Sequence, residues 1–217
     1  EQGDAPCEPQ ADYLTPAEIA RVVNVLTTIG IRTVRFTGGE PLLRRDLASI
    51  IQAVHAVGID DMAITTNAAL LTPKRAQNLA DAGLRRINIS LDTLDPQRFK
   101  TLSGGAPIEP VLNAINAVRD VGIQIKTNTV VVRGQNDHEL KDIAKYVWSI
   151  GGIPRFIEVM PMGAGKDLKM VPAEEIMNSF DLTPEHPEAV SQKGIGPADY
   201  WIHQGIKHQV LGVIAAT

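Results

Sequence analysis

The chain has 217 residues, 44% of them hydrophobic, and a formal net charge of −4 from 25 acidic and 21 basic side chains. That length and apolar content suit one large α/β domain or two small ones with a buried core, so disorder is not the expected state. The mild negative charge gives no bulk attraction to nucleic acid or to a membrane, and one cysteine, Cys7, excludes an internal disulfide framework and a multi-thiolate metal site built from these residues alone.

Residues 1–14, with "EQGDAPCEPQ", read as an N-terminal remnant or linker, and they lack the basic region and apolar core of an export signal. The first residue is Glu rather than Met, so a processed chain or a segment of something longer is expected. No apolar run reaches the roughly 18 residues of a bilayer span, and the expected compartment is the cytoplasm. From residue 15 a phrase recurs: an amphipathic helix, a glycine, then a β-rich run. "TPAE" at 15–18 supplies Thr15 as N-cap, Pro16 at the first helical position and Glu18 to complete a capping box. Ile19, Val22, Val23 and Leu26 then keep helical spacing up to "TTIGIRTVRFT". Leu47, Ile50, Ile51 and Val54 do the same before "HAVGIDDMAITT". The Thr72–Pro73 pair opens the helix that leads to "ADAGLRRINIS", and "RDVGIQIKTNTV" and "WSIGGIPRFIEV" complete the series. Gly30, Gly58, Gly83 and Gly122 read as helix stops. After residue 161 the chain turns Gly- and Pro-rich, with one short helix near 173–180 and a last β run, "HQVLGVIAAT".

Five αβ units joined by short connections predict a parallel sheet with helices packed outside it, an α/β fold. Periodicity leaves open whether the sheet is flat or curls into a barrel, but both place ligands at the carboxyl ends of strands. Those ends read "RFTGGEP", "ITTNA", "NISLD", "KTNTVV" and "RFIEVMPM", polar in every case. Gly38 and Gly39 leave the backbone bare for a ligand, and Glu40 offers a receptor for an ammonium. The competing reading is a tight strand-to-helix turn with Arg44, Arg45 and Asp46 solvated or capping. Lys126, Asn128 and Val130 share one strand face, where an ammonium costs several kcal/mol to desolvate, by rough order of magnitude, unless an anion meets it. A phosphate would, with Arg35 and Arg155 as further donors. The alternative for Arg155 is a salt bridge on the outer face. "MGAGKDL" at 162–168 is no Walker A loop, since Met160 stands where its first glycine belongs and Asp167 follows the lysine. His55, His138, His186, His203 and His208 show no metal-ligand spacing.

"VRFTGGEPLLRRDL", "AITTN", "INISLDTLDPQRF", "IKTNTVVVRGQND" and "RFIEVMPMG" stand in the order and spacing of a known family. The chain resembles the radical S-adenosylmethionine (SAM) GTP 3′,8-cyclases of molybdenum cofactor biosynthesis from about Tyr13 to its end. The resemblance implies a partial (β/α) TIM-like barrel of the radical SAM type, truncated at both ends, with residues 15–160 as its core and 161–217 as the start of a C-terminal part. It implies SAM and [4Fe–4S] clusters as cofactors and GTP as substrate. In the family, a 5′-deoxyadenosyl radical abstracts a ribose hydrogen so that C3′ attacks C8 of the base. Carried over by position, Gly39, Ser90 and Met160 match SAM-binding residues. Arg35, Thr65 and Lys126 match GTP-binding residues, and Arg155 a phosphate contact. The resemblance assigns no catalytic or metal-ligating side chain here. The family's pterin-forming partner enzyme and a homodimer are the expected protein contacts.

Four departures accompany the match. The CxxxCxxC loop and the second cluster's cysteines have no counterpart in these residues, and Thr33 and Ala68 replace the family's usual Lys and Gly. Two other readings stand beside the cyclase: a cluster-free homologue that binds a nucleotide or a partner protein, and another radical SAM enzyme.

Overall fold

In the computed structural model, which describes residues 13–161, 163–180, 198–203, 206 and 209–216, helices and strands alternate along the chain. Cys7, Met162, His186 and His208 lie outside the described residues. Helix α1 (Pro16–Thr28) starts on the expected box: the Thr15 hydroxyl accepts from the Glu18 N–H at 3.3 Å, and the Glu18 carboxylate accepts from the Thr15 N–H at 2.8 Å. Strand β1 (Thr33–Phe36) leads into the Gly-Gly-Glu-Pro corner, a 3-10 turn at Pro41–Leu43 and helix α2 (Leu47–Ala56). There follow β2 (Asp61–Thr66), α3 (Pro73–Asp81), β3 (Arg86–Ser90), α4 (Pro96–Leu102), α5 (Glu109–Asp120), β4 (Gln124–Val131), α6 (Leu140–Ser149) and β5 (Ile153–Glu158). The later part adds α7 (Ala173–Ser179), β6 (Asp199–Ile202) and β7 (Val210–Ile214). Thr72 caps α3 as expected, accepting from the Arg75 N–H, and all four predicted stop glycines have φ between 73° and 105°.

The strands form one seven-stranded sheet in the order β1-β2-β3-β4-β5-β7-β6, parallel throughout except for antiparallel β6 at the edge. Because side chains alternate across a strand, each strand sends one set to the helices and the other to the opposite face. Towards the helices point Val34 and Phe36, Met62 and Ile64, Ile87 and Ile89, Ile125 and Val131, Phe156, and Leu211 and Val213, all packed into the hydrophobic core. The opposite set is Arg35, Thr65, Asn88, Lys126, Asn128, Arg155 and Tyr200, aligned by register across the strands.

That polar face is concave. Lys126 and Tyr200 stand on β4 and β6, three strand spacings apart, about 14 Å in a flat sheet. Yet the Lys126 ammonium donates to the Tyr200 hydroxyl at 3.1 Å. Arg155 likewise reaches over β4 to Asn88 at 2.7 Å. These contacts between distant strands accord with a sheet that curls around this face, the inside of a partial barrel.

Helix α1 differs from the expected amphipathic pattern. Val23 is buried and Ile19 packs against the core, but Val22, Val25 and Leu26 are exposed, with Ile29 beyond them at 75%. Helix α2 keeps its whole apolar stripe, Leu47, Ile50, Ile51 and Val54, inside.

Candidate functional site at the inner face of the sheet

Five side chains from five strands form a continuous polar chain on the concave face. The Asn88 amide donates through Nδ2 to Thr65 Oγ1 at 3.0 Å, and Asn88 Oδ1 accepts from Arg155 Nη2 at 2.7 Å. Tyr200 lies beside Arg155 across Gly212, and Lys126 closes the series through the Tyr200 hydroxyl. Lys126 is 4% exposed and Arg155 7%, yet among the described residues no carboxylate lies within ion-pair distance of either. Burial pulls the Arg155 guanidinium below the usual arginine range; the Tyr200 hydroxyl works against this, and the charges of Arg35 and Arg86 add to it. Two further polar atoms at this level are buried without a partner among the described residues, Arg155 Nε and Asn128 Oδ1. Buried cations and an orphaned donor are costly, and an anionic ligand bearing several oxygens would satisfy Lys126 and Arg155, whereas Asn128 Oδ1, an acceptor, calls for a donor.

Of the residues singled out in the sequence, Thr65, Lys126 and Arg155 are thus brought into one network. Arg155 faces inward, so the outer-face salt bridge is not formed. Arg35 lies on the same face, exposed, at the outer strand β1. Thr33, two residues before it, donates its hydroxyl to Asp61 Oδ2 at 3.2 Å, and Asp61 also pairs with Arg86. The carboxyl-terminal rim of the parallel strands carries Gly39, Ser90 and Met160, all exposed: Gly39 in the corner after β1, Ser90 as the last residue of β3 and Met160 just past β5. A Cβ at Gly38 or Gly39 would touch nothing, and Gly38 has φ of 151°, so this corner offers bare backbone towards open space.

Glu40 has a different part from the one expected. Its carboxylate accepts from the Leu42 N–H at 2.9 Å, the Thr66 hydroxyl at 2.6 Å and the Asn67 N–H at 2.8 Å. It therefore ties the glycine corner to the turn after β2. Arg44 and Asp46 pair with each other at 2.8 Å, in keeping with the structural reading of that charged run. A second lock holds the rim on the other side. Buried Asn136 donates to the Asp92 and Val130 carbonyls at 2.7 and 2.9 Å and accepts from the Val132 N–H at 2.8 Å. Beside it, Glu139 accepts from Thr93 and the Leu94 N–H and pairs with Arg98.

Sequence reasoning missed Asn88 and Tyr200. Asn88 carried a signal, since it alternates with Ser90 opposite the apolar pair Ile87 and Ile89. Tyr200 carried little, standing in a four-residue strand after a Gly- and Pro-rich stretch.

This arrangement, a mostly parallel curled sheet with its polar residues inside and an open glycine corner at the rim, is that of a cofactor-binding (β/α) barrel. The chain belongs to the radical SAM superfamily, whose family model matches residues 5–147. It is similar to proteins named GTP 3′,8-cyclase: 40% identical over 212 residues to that of Listeria welshimeri and 38% over 219 residues to that of Aquifex aeolicus. These alignments cover 95% and 96% of this chain but 63% and 65% of the relatives, so it spans about three-fifths of their length. Among solved structures, Streptococcus suis SuiB superposes with a TM-score of 0.66 at 20% identity, over 78% of this chain and 40% of that one. A domain of pyruvate-formate lyase-activating enzyme from Bacteroides vulgatus gives 0.56 at 20% identity, over 70% and 96%. These two likenesses concern the fold.

The family brings SAM and a [4Fe–4S] cluster as cofactors. The bare corner at Gly38 and Gly39 fits close approach of a small polar group such as SAM. A cluster does not fit the side chains in hand: these residues hold one cysteine, where such a cluster needs three or four protein thiolates. Among the described residues no three His, Cys, Asp or Glu are grouped to hold a metal, and no helix is long and apolar enough to cross a membrane.

Proposed function

We propose that this chain carries the SAM- and GTP-binding part of a GTP 3′,8-cyclase of molybdenum cofactor biosynthesis. The observation that carries the reading is the burial of Lys126 and Arg155 on one concave face with no carboxylate partner among the described residues. In this reading Lys126 and Arg155, with Arg35, neutralise the triphosphate, and the Thr65 hydroxyl contacts the nucleotide. Gly39, Ser90 and Met160 hold SAM at the rim, Gly39 through its backbone. SAM held there would supply the radical that starts the reaction. What this chain contributes is to bind GTP, to orient its phosphates against β4 and β5, and to keep water from the buried cations. The names of the curated relatives support the substrate. The same reading takes residues 15–160 as the barrel core and 161–217 as the start of a C-terminal part, and it places the protein in the cytoplasm, as a homodimer, upstream of a pterin-forming enzyme.

The test is titration calorimetry of the chain with GTP and with SAM. Saturable binding of GTP at micromolar concentration is expected; no heat from GTP would sink the reading. A second reading, a homologue that binds the nucleotide without radical chemistry, is favoured by the single cysteine. It predicts GTP binding without SAM binding, whereas saturable SAM binding by the same chain would exclude it.

A further inference from the structure

We propose that Tyr200 is a positioning residue that holds Lys126 and Arg155 together as one anion receptor, and that Gly212 is what lets it do so. The proposal rests on the nucleotide reading only for the identity of the anion. Strand β6 is antiparallel at the sheet edge, yet its Tyr200 is in register with Gly212 of β7, which is in register with Arg155 of β5. Gly212 therefore lies between the two side chains. A Cβ there would come within 3.0 Å of Arg155 Cγ and 3.0 Å of Tyr200 Cε1, so the missing side chain is the space into which both close. Tyr200 then reaches across to β4. Its hydroxyl accepts from the Lys126 ammonium at 3.1 Å, and the ammonium lies 4.8 Å from the ring centroid. The ring and hydroxyl thus draw a buried lysine on β4 towards an arginine on β5.

A tyrosine suits this task better than an acid. A carboxylate would neutralise the cations and compete with an incoming anion. The phenol gives Lys126 one acceptor and the negative face of its ring, leaving the ammonium's other two donors for a ligand. Both cations are held in place with no carboxylate within ion-pair distance among the described residues.

The experiment measures binding of GTP and of inorganic tripolyphosphate to the wild-type chain, Tyr200→Phe, Gly212→Ala, Lys126→Met and the Tyr200→Phe/Lys126→Met double variant, with guanosine as a phosphate-free control. Tyr200→Phe keeps the ring and loses the hydroxyl, so roughly 3- to 10-fold weaker binding of both anions is expected, the scale of one hydrogen bond. In the Lys126→Met background the same change should cost much less, because its target is gone. Gly212→Ala should weaken both anions as well. A loss of guanosine affinity equal to that of the anions would mark a general structural defect and overturn the proposal. So would wild-type affinity in Tyr200→Phe, or a loss that multiplies in full with Lys126→Met. A wild-type chain that binds tripolyphosphate but not GTP, with the same pattern among variants, would support the receptor while removing the nucleotide reading.

Discussion

Arg155 donates to Asn88 across β4, at 2.7 Å, and this contact joins the two halves of the polar face. Asn88 in turn reaches Thr65 on β2, so a side chain between two apolar isoleucines organises the site. The Asn88→Leu substitution removes the acceptor and leaves the guanidinium buried with a further orphaned donor. The expected cost is about 1–3 kcal/mol in chemical denaturation. Adding Arg155→Met, which removes the charge as well, should recover much of it. An Asn88→Leu variant as stable as the wild type would mean that the contact contributes nothing.

Ala68 stands at φ 60°, in the left-handed region, where the family resemblance expects glycine. The methyl group costs about 1–2 kcal/mol in that conformation. Against this, it is fully buried, worth roughly 0.8 kcal/mol, and it stiffens the unfolded chain by about 0.4–1 kcal/mol relative to glycine. The terms nearly cancel, which accounts for alanine being tolerated. Ala68→Gly should therefore shift stability by less than about 1 kcal/mol, while Ala68→Val, β-branched and larger in a filled site, should cost more than about 2 kcal/mol. Similar melting curves for the two variants would contradict this reading of the turn.

Burial pushes the Asp92 carboxyl above the usual aspartate range, and the hydrogen bond it accepts from the Val130 N–H at 2.8 Å only partly opposes that. The native state therefore holds this proton more tightly than the unfolded chain. Stability from Asp92 is highest below the unfolded pKa of about 3.9 and falls as pH rises through the native value. Asp92→Asn keeps an acceptor for Val130 and removes the charge. It should raise stability at pH 7 and lose that advantage towards pH 4. Urea midpoints across this range check it; an equal shift at both ends would remove Asp92 as the cause.

Much of this architecture is written locally. Thr15 with Glu18, Thr72 with Pro73 and the glycines after each helix act within one turn, so their effect can be read without tertiary information. The inward pair Lys126 and Asn128 follows from two-residue alternation, whereas Thr65 is named only by the family resemblance. What alternation cannot tell is which strand comes next. Tyr200 is 74 residues from Lys126, and they meet only because β7 pairs with β5 and β6 folds back on β7. Arg155 could have faced either way by sequence alone, and register decided it. Helix α1 shows the opposite limit: Val22 and Leu26 keep helical spacing, yet they are exposed among the described residues, because periodicity reports a stripe and not its cover.

The proposed anion-binding role of Lys126 is tested by comparing GTP affinity and thermal stability in the wild type and Lys126→Met. Methionine keeps the stem and removes the charge, so stability should hold or rise, while GTP binding by calorimetry should weaken by about 1–3 kcal/mol, roughly 5- to 150-fold. Unchanged GTP affinity, or a variant that fails to fold at all, would mean that Lys126 serves the structure of the sheet and not a nucleotide.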